Sequence, residues 1–193
     1  MRSPARDRAA VRMHPRDPLL WSIPVLALAA AGVLLALDAN RDVFLLLNGI
    51  GLRTGDAWWA QITILGDTTV ALALCLPLWR RRADLMWALA FGALISTLWV
   101  HGIKPIAKVD RPAATLGDAV HVIGPTHKRT SFPSGHATTA FAVAGLYAMG
   151  LRRRPLTGLV IALASLAALS RCVVGVHWPL DILAGAFGGW LSA

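Results

Sequence analysis

The side chains of this chain with the clearest capacity for chemistry fall into three short clusters within residues 104–181. Lys104 stands with Arg111-Pro112, Pro133-Ser134-Gly135-His136 follows, and Ser170-Arg171, His177 and Asp181 close the set. Together they supply three cations, two imidazoles and one carboxylate. That inventory suits holding a phosphoryl group and attacking it. A phosphoryl group in transfer spreads negative charge over its three equatorial oxygens. Arg111 and Arg171 can meet that charge with planar bidentate contacts, and Lys104 with a point charge.

His177 and Asp181 lie four residues apart, with Pro179 between them suited to the first turn of a helix. A pair at that spacing shares one helical face, so the carboxylate can accept the imidazole N–H. Such a bond fixes the tautomer and leaves the second ring nitrogen free to attack. Pro133 and Gly135 punctuate the chain just before an alanine-rich helix, with Ser134 as its N-cap and Thr138 and Thr139 in its first turn. The free N–H groups and positive dipole end of that helix favour an anion, and Gly135 lets one approach the backbone closely. His136 stands at the mouth of the helix.

Each motif alone has a plainer reading: an ordinary capped helix, a structural His–Asp bond, or cations snorkelling at a membrane interface. Snorkelling accounts for Arg41, Lys108, Lys128 and Arg129. His101, His121 and His127 read as structural or solvated. No metal-binding pattern such as HExxH, HxxxH or paired carboxylates is present. Cys75 and Cys172 form no disulfide framework; Cys75 reads as a small core hydrophobe, and Cys172 is not assigned a nucleophilic role.

The elements that must position these clusters read as membrane helices. The 193 residues are 56% hydrophobic, and the mean hydropathy is +0.58. Those values describe an all-α integral membrane protein of one domain, in which intramembrane charge is costly and marks function. Apolar stretches occupy 19–37, 60–79, 84–103, 137–151, 156–170 and 179–193, which predicts six transmembrane helices. The last three are short against the ~20 residues of a typical span. Residues 43–52 are too short to span and predict an interfacial or re-entrant segment. Trp21, Trp58-Trp59, Trp79 and Trp178 predict an aromatic belt. Ala184, Gly185, Gly188 and Gly189 predict close helix packing.

The net charge of +9 is read as topology and anionic lipid, not as nucleic-acid binding. Arginines cluster in the N-terminal tail (Arg2, Arg6, Arg8, Arg12, Arg16), at Arg80-Arg81-Arg82 and at Arg152-Arg153-Arg154. With six helices these fall on one side, expected to be the cytoplasm, and all three motif clusters fall on the other. The division is then a basic tail, 1–18, and a membrane domain, 19–193. The first apolar segment is longer than a signal h-region and is expected to be an uncleaved helix.

Lys104 with six residues before Arg111-Pro112, then Pro133-Ser134-Gly135-His136, then Ser170-Arg171 with five residues before His177 and three before Asp181, resembles the three-part signature of the type 2 phosphatidic acid phosphatase superfamily. The six-helix layout resembles its bacterial membrane lipid phosphatases. The resemblance implies a metal-independent lipid phosphatase without cofactor, working at the outer, periplasmic face of the plasma membrane on a lipid phosphate drawn from the bilayer. It implies His177 as nucleophile, Asp181 as its orienting partner, and His136 as the acid that becomes the base. It also implies Lys104, Arg111, Ser134, Gly135 and Arg171 as the phosphate ligands. Undecaprenyl diphosphate is the first expected substrate; phosphatidylglycerol phosphate, a range of lipid phosphates, lipid A, and lipid-to-lipid phosphotransfer are alternatives. A non-enzymatic binding module would be expected to lose signature residues, and none is lost. An anion channel would have no use for the His–Asp pair, and the vanadate-dependent oxidases that share the signature are typically soluble.

Overall fold

The computed structural model describes residues 17–125, 130–151 and 154–193. Their regular structure is helical: α1 (Pro18–Ala36), α2 (Asn40–Thr54), α3 (Asp56–Thr63), α4 (Thr68–Cys75), α5 (Ala83–Ala107), α6 (Pro112–Leu116), α7 (Gly135–Leu151), α8 (Arg154–Val173) and α9 (Pro179–Leu191), with short 3₁₀ turns at Ile64–Gly66, Leu76–Leu78 and Gly117–Ala119. Local chemistry sets several boundaries. Asp17 accepts the Leu19 N–H at 3.0 Å and Pro18 opens α1. Asp67 accepts the Thr69 and Val70 N–H groups, at 2.8 and 3.4 Å, to start α4.

Helix α7 is the centre of the bundle. It packs against α8, α9, α5 and α4, while α1 covers α9, and α2 and α3 lean on α8. Its buried alanines, Ala137, Ala140, Ala144 and Ala148, meet Ala167 and Ala168 of α8 and Ile182, Ala186 and Trp190 of α9. Small residues let these backbones approach, the packing mode available where lipid provides no hydrophobic drive between helices. A Cβ on Gly185 would lie 2.7 Å from the Ser134 carbonyl oxygen, and one on Gly189 would collide with the Thr138 carbonyl. The small-residue pattern expected of this segment is therefore where α9 seats on α7.

Apolar side chains also point outward. On α5, Trp87, Phe91, Leu94 and Leu98 are each more than half exposed and recur at three- and four-residue intervals, a lipid-facing stripe. Pro18–Ala36, Ala83–Ala119 and Pro155–Val173 are long and apolar enough to cross a membrane. A fourth span results if Asp56–Gly66 and Thr68–Leu78, bent by 60°, count as one. Helices α7 and α9, with 17 and 13 residues, are shorter than such a span.

Three expectations change. The apolar run 60–79 is not one helix: Gly66 and Asp67 break it, because Asp67 turns its carboxylate to cap α4 and Gly66 presses against His136. The 84–103 run extends to Ala107, carrying Lys104 and Pro105 inside α5. Trp178 is no belt residue. It is 8% exposed, packs on Phe44 with centroids 5.1 Å apart, and donates its indole N–H to the Asp110 carbonyl at 2.8 Å. Trp21, Trp58 and Trp79 do face outward. The segment around 43–52 lies in α2, buries Phe44, Asn48 and Gly51, and packs on α8.

The arginine turn and the motif clusters occupy opposite ends of α7. Arg82 pairs with Asp84 at 2.7 Å and approaches the Gly150 carbonyl at 3.4 Å, at the C-terminal end of α7. His136 is at the other end, ~21 Å from Gly150 along the helix at ~1.5 Å per residue. The tail arginines and Arg152-Arg153 lie outside the described residues.

Gly189→Ala is expected to lower the thermal midpoint in detergent by several degrees, since overpacking costs about 1–3 kcal/mol. Gly158→Ala, where a Cβ meets nothing within 4 Å, is expected to leave it unchanged or slightly raised. Thermal unfolding of both variants checks the close α7–α9 seat.

Candidate active site

The loop 174–178 carries His177 from the end of α8 to the start of α9. It folds back on one carbonyl: the N–H groups of Val176 and His177 both donate to the Arg171 carbonyl, at 3.1 and 3.2 Å. Gly175 makes the turn at φ +80, and a Cβ there would strike the His121 carbonyl at 2.5 Å. Asn48 fixes the outside of this corner. Its amide donates to the His121 and Val173 carbonyls, at 2.7 and 2.9 Å, and its oxygen accepts the His121 N–H at 2.9 Å.

His177 is 3% exposed and Asp181 1%. The imidazole Nδ1 lies 3.2 Å from Asp181 Oδ2, which also accepts the Trp178 N–H at 2.8 Å and the Ser131 hydroxyl. The pair does not share a helical face, because His177 precedes the N-cap, Trp178. Asp181 is the third residue of α9 and reaches back as a capping carboxylate. With Nδ1 facing the carboxylate, Nε2 carries the lone pair. Burial is the main cause that pushes the His177 imidazole down from 6.5 to about 4; the charges of Arg111 and Arg171 act in the same sense, and Asp181 opposes them.

The Pro133–His136 segment is strapped to the same helix, since the Ser134 N–H donates to the Asp181 carbonyl at 3.0 Å. Ser134 Oγ accepts the Ala137 N–H at 3.4 Å, a weak N-cap that leaves its own proton to donate. Lys104 Nζ donates to the Thr130 carbonyl at 2.6 Å, and Arg111 Nη1 to the Val176 carbonyl at 3.1 Å. Arg171 Nη1 donates to Thr63 Oγ1 at 2.5 Å, while its buried Nε has no hydrogen-bond partner among the described residues. These cations are near one another and near the histidines. Arg111 lies within electrostatic reach of Lys104, Arg171, His136 and His177, and Lys104 and Arg111 both feel Asp181.

All eight residues expected from the sequence therefore gather at one end of α7. Two the sequence reading missed join them: Thr63, which holds Arg171, and Ser131, wholly buried against Asp181. Ser131 sits three residues before Ser134 in the same polar loop, and that proximity was the available signal. Gly66 lies against His136, where a Cβ would come within 2.9 Å of the histidine Cβ. Cys172 is fully buried, and His121 pairs with Asp56 at 2.8 Å. His127, Lys128 and Arg129 lie outside the described residues.

A cavity of about 230 Å³ opens from His136 between α4, α5 and α7, lined by Thr68, Ser96, Thr97, Val100, Thr139 and Val143 among others. A second apolar hollow, lined by Leu72, Trp79, Met86, Trp87 and Ala90, continues the α4–α5 groove toward the arginine end. Leu72, Leu89 and Ala93 border both.

Among the described residues, a helical bundle with apolar outward faces concentrates cations around a buried His–Asp pair, an arrangement suited to an anion. Residues 85–193 match the PAP2 superfamily, and the chain belongs to it. It is 35% identical over 136 residues to the decaprenylphosphoryl-5-phosphoribose phosphatase of Mycobacterium tuberculosis, covering 70% of this chain and 68% of that one. It is 44% identical over 63 residues to the lipid A 1-phosphatase of Rhizobium etli, covering 32% of this chain and only 26% of that protein. The crystal structure of Aquifex aeolicus LpxE superposes with a TM-score of 0.71 at 27% identity, over 79% of this chain and 91% of that one. Both of these curated relatives are named as phosphatases of lipids.

The depressed His177 value has a consequence for stability. The unfolded chain takes up the proton near pH 6.5 and the folded chain near 4. Between these values the unfolded state binds more protons, so the contribution is present above 6.5 and is lost as pH falls toward 4. The thermal midpoint is expected to drop across this window, and to drop less in His177→Gln. Paired melts at pH 7, 5.5 and 4.5 measure the difference.

Proposed function

We propose that this chain is a metal-independent membrane lipid phosphatase that works through a phosphohistidine at His177. The observation that carries this reading is the buried His177–Asp181 pair, 3.2 Å apart, set among Lys104, Arg111 and Arg171. His177 Nε2 attacks phosphorus as the bridging P–O bond breaks, and His136 gives its proton to the leaving oxygen. The bound phosphate supplies the negative charge that favours a protonated His136 beside two arginines. Asp181 balances the charge that develops on the His177 ring. Water then attacks phosphorus, neutral His136 takes its proton, and the P–N bond breaks to release inorganic phosphate. Lys104, Arg111, Arg171, the Ser134 hydroxyl and the Gly135 N–H hold the equatorial oxygens, stabilising charge that is greatest in the transition state.

The α4–α5–α7 cavity supports His136 as the group on the leaving side, because it borders that residue and Gly135 and then follows apolar surface along α4 and α5. A lipid entering sideways from the bilayer would lay its chain in this groove with its phosphate at the end of α7. The domain is residues 19–193, with six membrane crossings of which α7 and α9 are the short ones. Its arginine end faces the cytoplasm and its site the periplasm or exterior of a plasma membrane. The separation of Arg82 from His136 along α7 supports this orientation.

Undecaprenyl diphosphate, hydrolysed to the monophosphate, is the first substrate reading, since the long groove suits a polyprenyl chain. A lipid-linked sugar phosphate is the second, favoured by the relative from M. tuberculosis, whose match covers most of this chain.

Phosphate release by purified protein in detergent with excess EDTA tests both readings. The panel is undecaprenyl diphosphate, decaprenylphosphoryl ribose 5-phosphate, phosphatidylglycerol phosphate and a lipid A 1-phosphate. Release is expected to survive EDTA and fall to background in His177→Ala, while Asp181→Asn keeps a residual rate, lowered on the order of 10²-fold. Activity abolished by EDTA, or retained in His177→Ala, would refute the mechanism.

A further inference from the structure

Ser131 has a place in the site that neither its motif nor its type announces. It is wholly buried, and its hydroxyl donates to Asp181 Oδ2 while lying 3.3 Å from His177 Nδ1. One hydroxyl therefore touches both members of the His–Asp pair. Its backbone is pinned as well, since the Ser131 N–H donates to the Val109 carbonyl at 2.8 Å. The preceding residue, Thr130, holds φ +60, a conformation a β-branched residue rarely adopts, and presents its carbonyl to Lys104 Nζ at 2.6 Å. Three residues later the Ser134 N–H returns to the Asp181 carbonyl. The segment 130–134 is thus bonded at one side to a cation of the first cluster and at the other to both the side chain and the backbone of Asp181.

We propose that Ser131 is a positioning residue that acts through Asp181, its hydroxyl fixing the carboxylate so that Oδ2 lies in line with His177 Nδ1. The inference rests on the phosphatase reading for its catalytic meaning, but the geometry it describes does not. Asp181 Oδ2 faces three donors: the Ser131 hydroxyl, the Trp178 N–H and the His177 ring N–H. The Trp178 N–H comes from the same turn of chain as Asp181 and ties the carboxylate to the start of α9. Ser131 comes from a different segment, fifty residues earlier, and supplies the cross-brace. Removing it leaves the carboxylate with one fewer donor and freer to rotate. The other charged or titratable groups acting on the pair are Arg111, Arg171 and His136, which face His177, and Lys104 and Cys172, which face Asp181. None of them contacts Ser131 in the bonds described, and since the hydroxyl also lies 3.3 Å from His177 Nδ1, an Asp181→Asn background separates a change passed through Asp181 from one made directly at the ring.

The test pairs an activity-free readout with kinetics. In full-length protein labelled with ¹⁵N-histidine in detergent micelles, Ser131→Ala is expected to move the His177 titration upward by about half to one pH unit, as loss of one charge-assisted bond implies. Steady-state kinetics on the best panel lipid are expected to show kcat lowered about tenfold or more. KM and the inhibition constant of inorganic phosphate should stay within about threefold, which also shows the variant to be folded around its phosphate site. In an Asp181→Asn background the same substitution is expected to add less than about twofold, because residues acting as a unit are not additive. Ser131→Cys, which keeps a weak donor, is expected to fall between Ser131→Ala and wild type. An unmoved His177 titration, a full additive loss in Asp181→Asn, or a loss confined to phosphate affinity would each overturn the proposal. If wild type releases no phosphate from any lipid, the phosphatase reading fails, and the His177 titration still decides the role of Ser131: the shift produced by Ser131→Ala is expected to vanish in the Asp181→Asn background, and its persistence there would overturn the proposal.

Discussion

The structure turns on the carboxylate of Asp181. A single oxygen, Oδ2, collects the Trp178 N–H that begins α9, the Ser131 hydroxyl from the polar loop, and Nδ1 of His177. The same residue's carbonyl takes the Ser134 N–H. A helix cap, a loop anchor and a histidine orienter are therefore one group. A buried carboxylate is costly unless it is hydrogen-bonded on all sides, and here the bonds that satisfy it bring two of the three motif clusters together. Removing the carboxylate would unsettle the start of α9 as well as the orientation of His177.

The surrounding fold makes that concentration of polar groups possible. Because α7 and α9 approach through Gly185 and Gly189, the loop before α7 lies directly over the first turn of α9. Lys104 projects from the end of α5, Arg111 from the α5–α6 connection, and Arg171 from the end of α8. Each spends part of its hydrogen-bonding capacity on a neighbouring oxygen, at Thr130, Val176 and Thr63 respectively. Like charges so close repel, and a bound anion would relieve that repulsion.

Much of this was legible in the sequence, for identifiable reasons. Charged residues among apolar stretches stand out, so Lys104, Arg111, His136, Arg171, His177 and Asp181 could be singled out as a set, and the stripe of small residues near 185–189 announced close packing. Family membership followed from the spacing of the same residues. Other features depend on tertiary context. The 60–79 run is apolar throughout, and its break arises because Gly66 abuts His136 of a distant segment. Trp178 resembles any interfacial tryptophan until Phe44 and Asp110 are brought to it. Ser131 is a common residue in a loop, and its burial against Asp181 appears only when the chain has folded. The His177–Asp181 bond was foreseen from helical spacing, yet it forms by capping geometry, because the helix starts after His177.

If His177 is the residue that accepts the phosphoryl group, the bond it forms can be looked for directly. Rapid acid-free quenching during turnover of a lipid phosphate, followed by peptide mass spectrometry under neutral conditions, would locate a covalent intermediate. The account predicts one phosphoryl group on the peptide containing His177, labile to acid and stable to base, and absent from His177→Ala. A phosphoryl group on another residue, or turnover retained in His177→Ala, would contradict it.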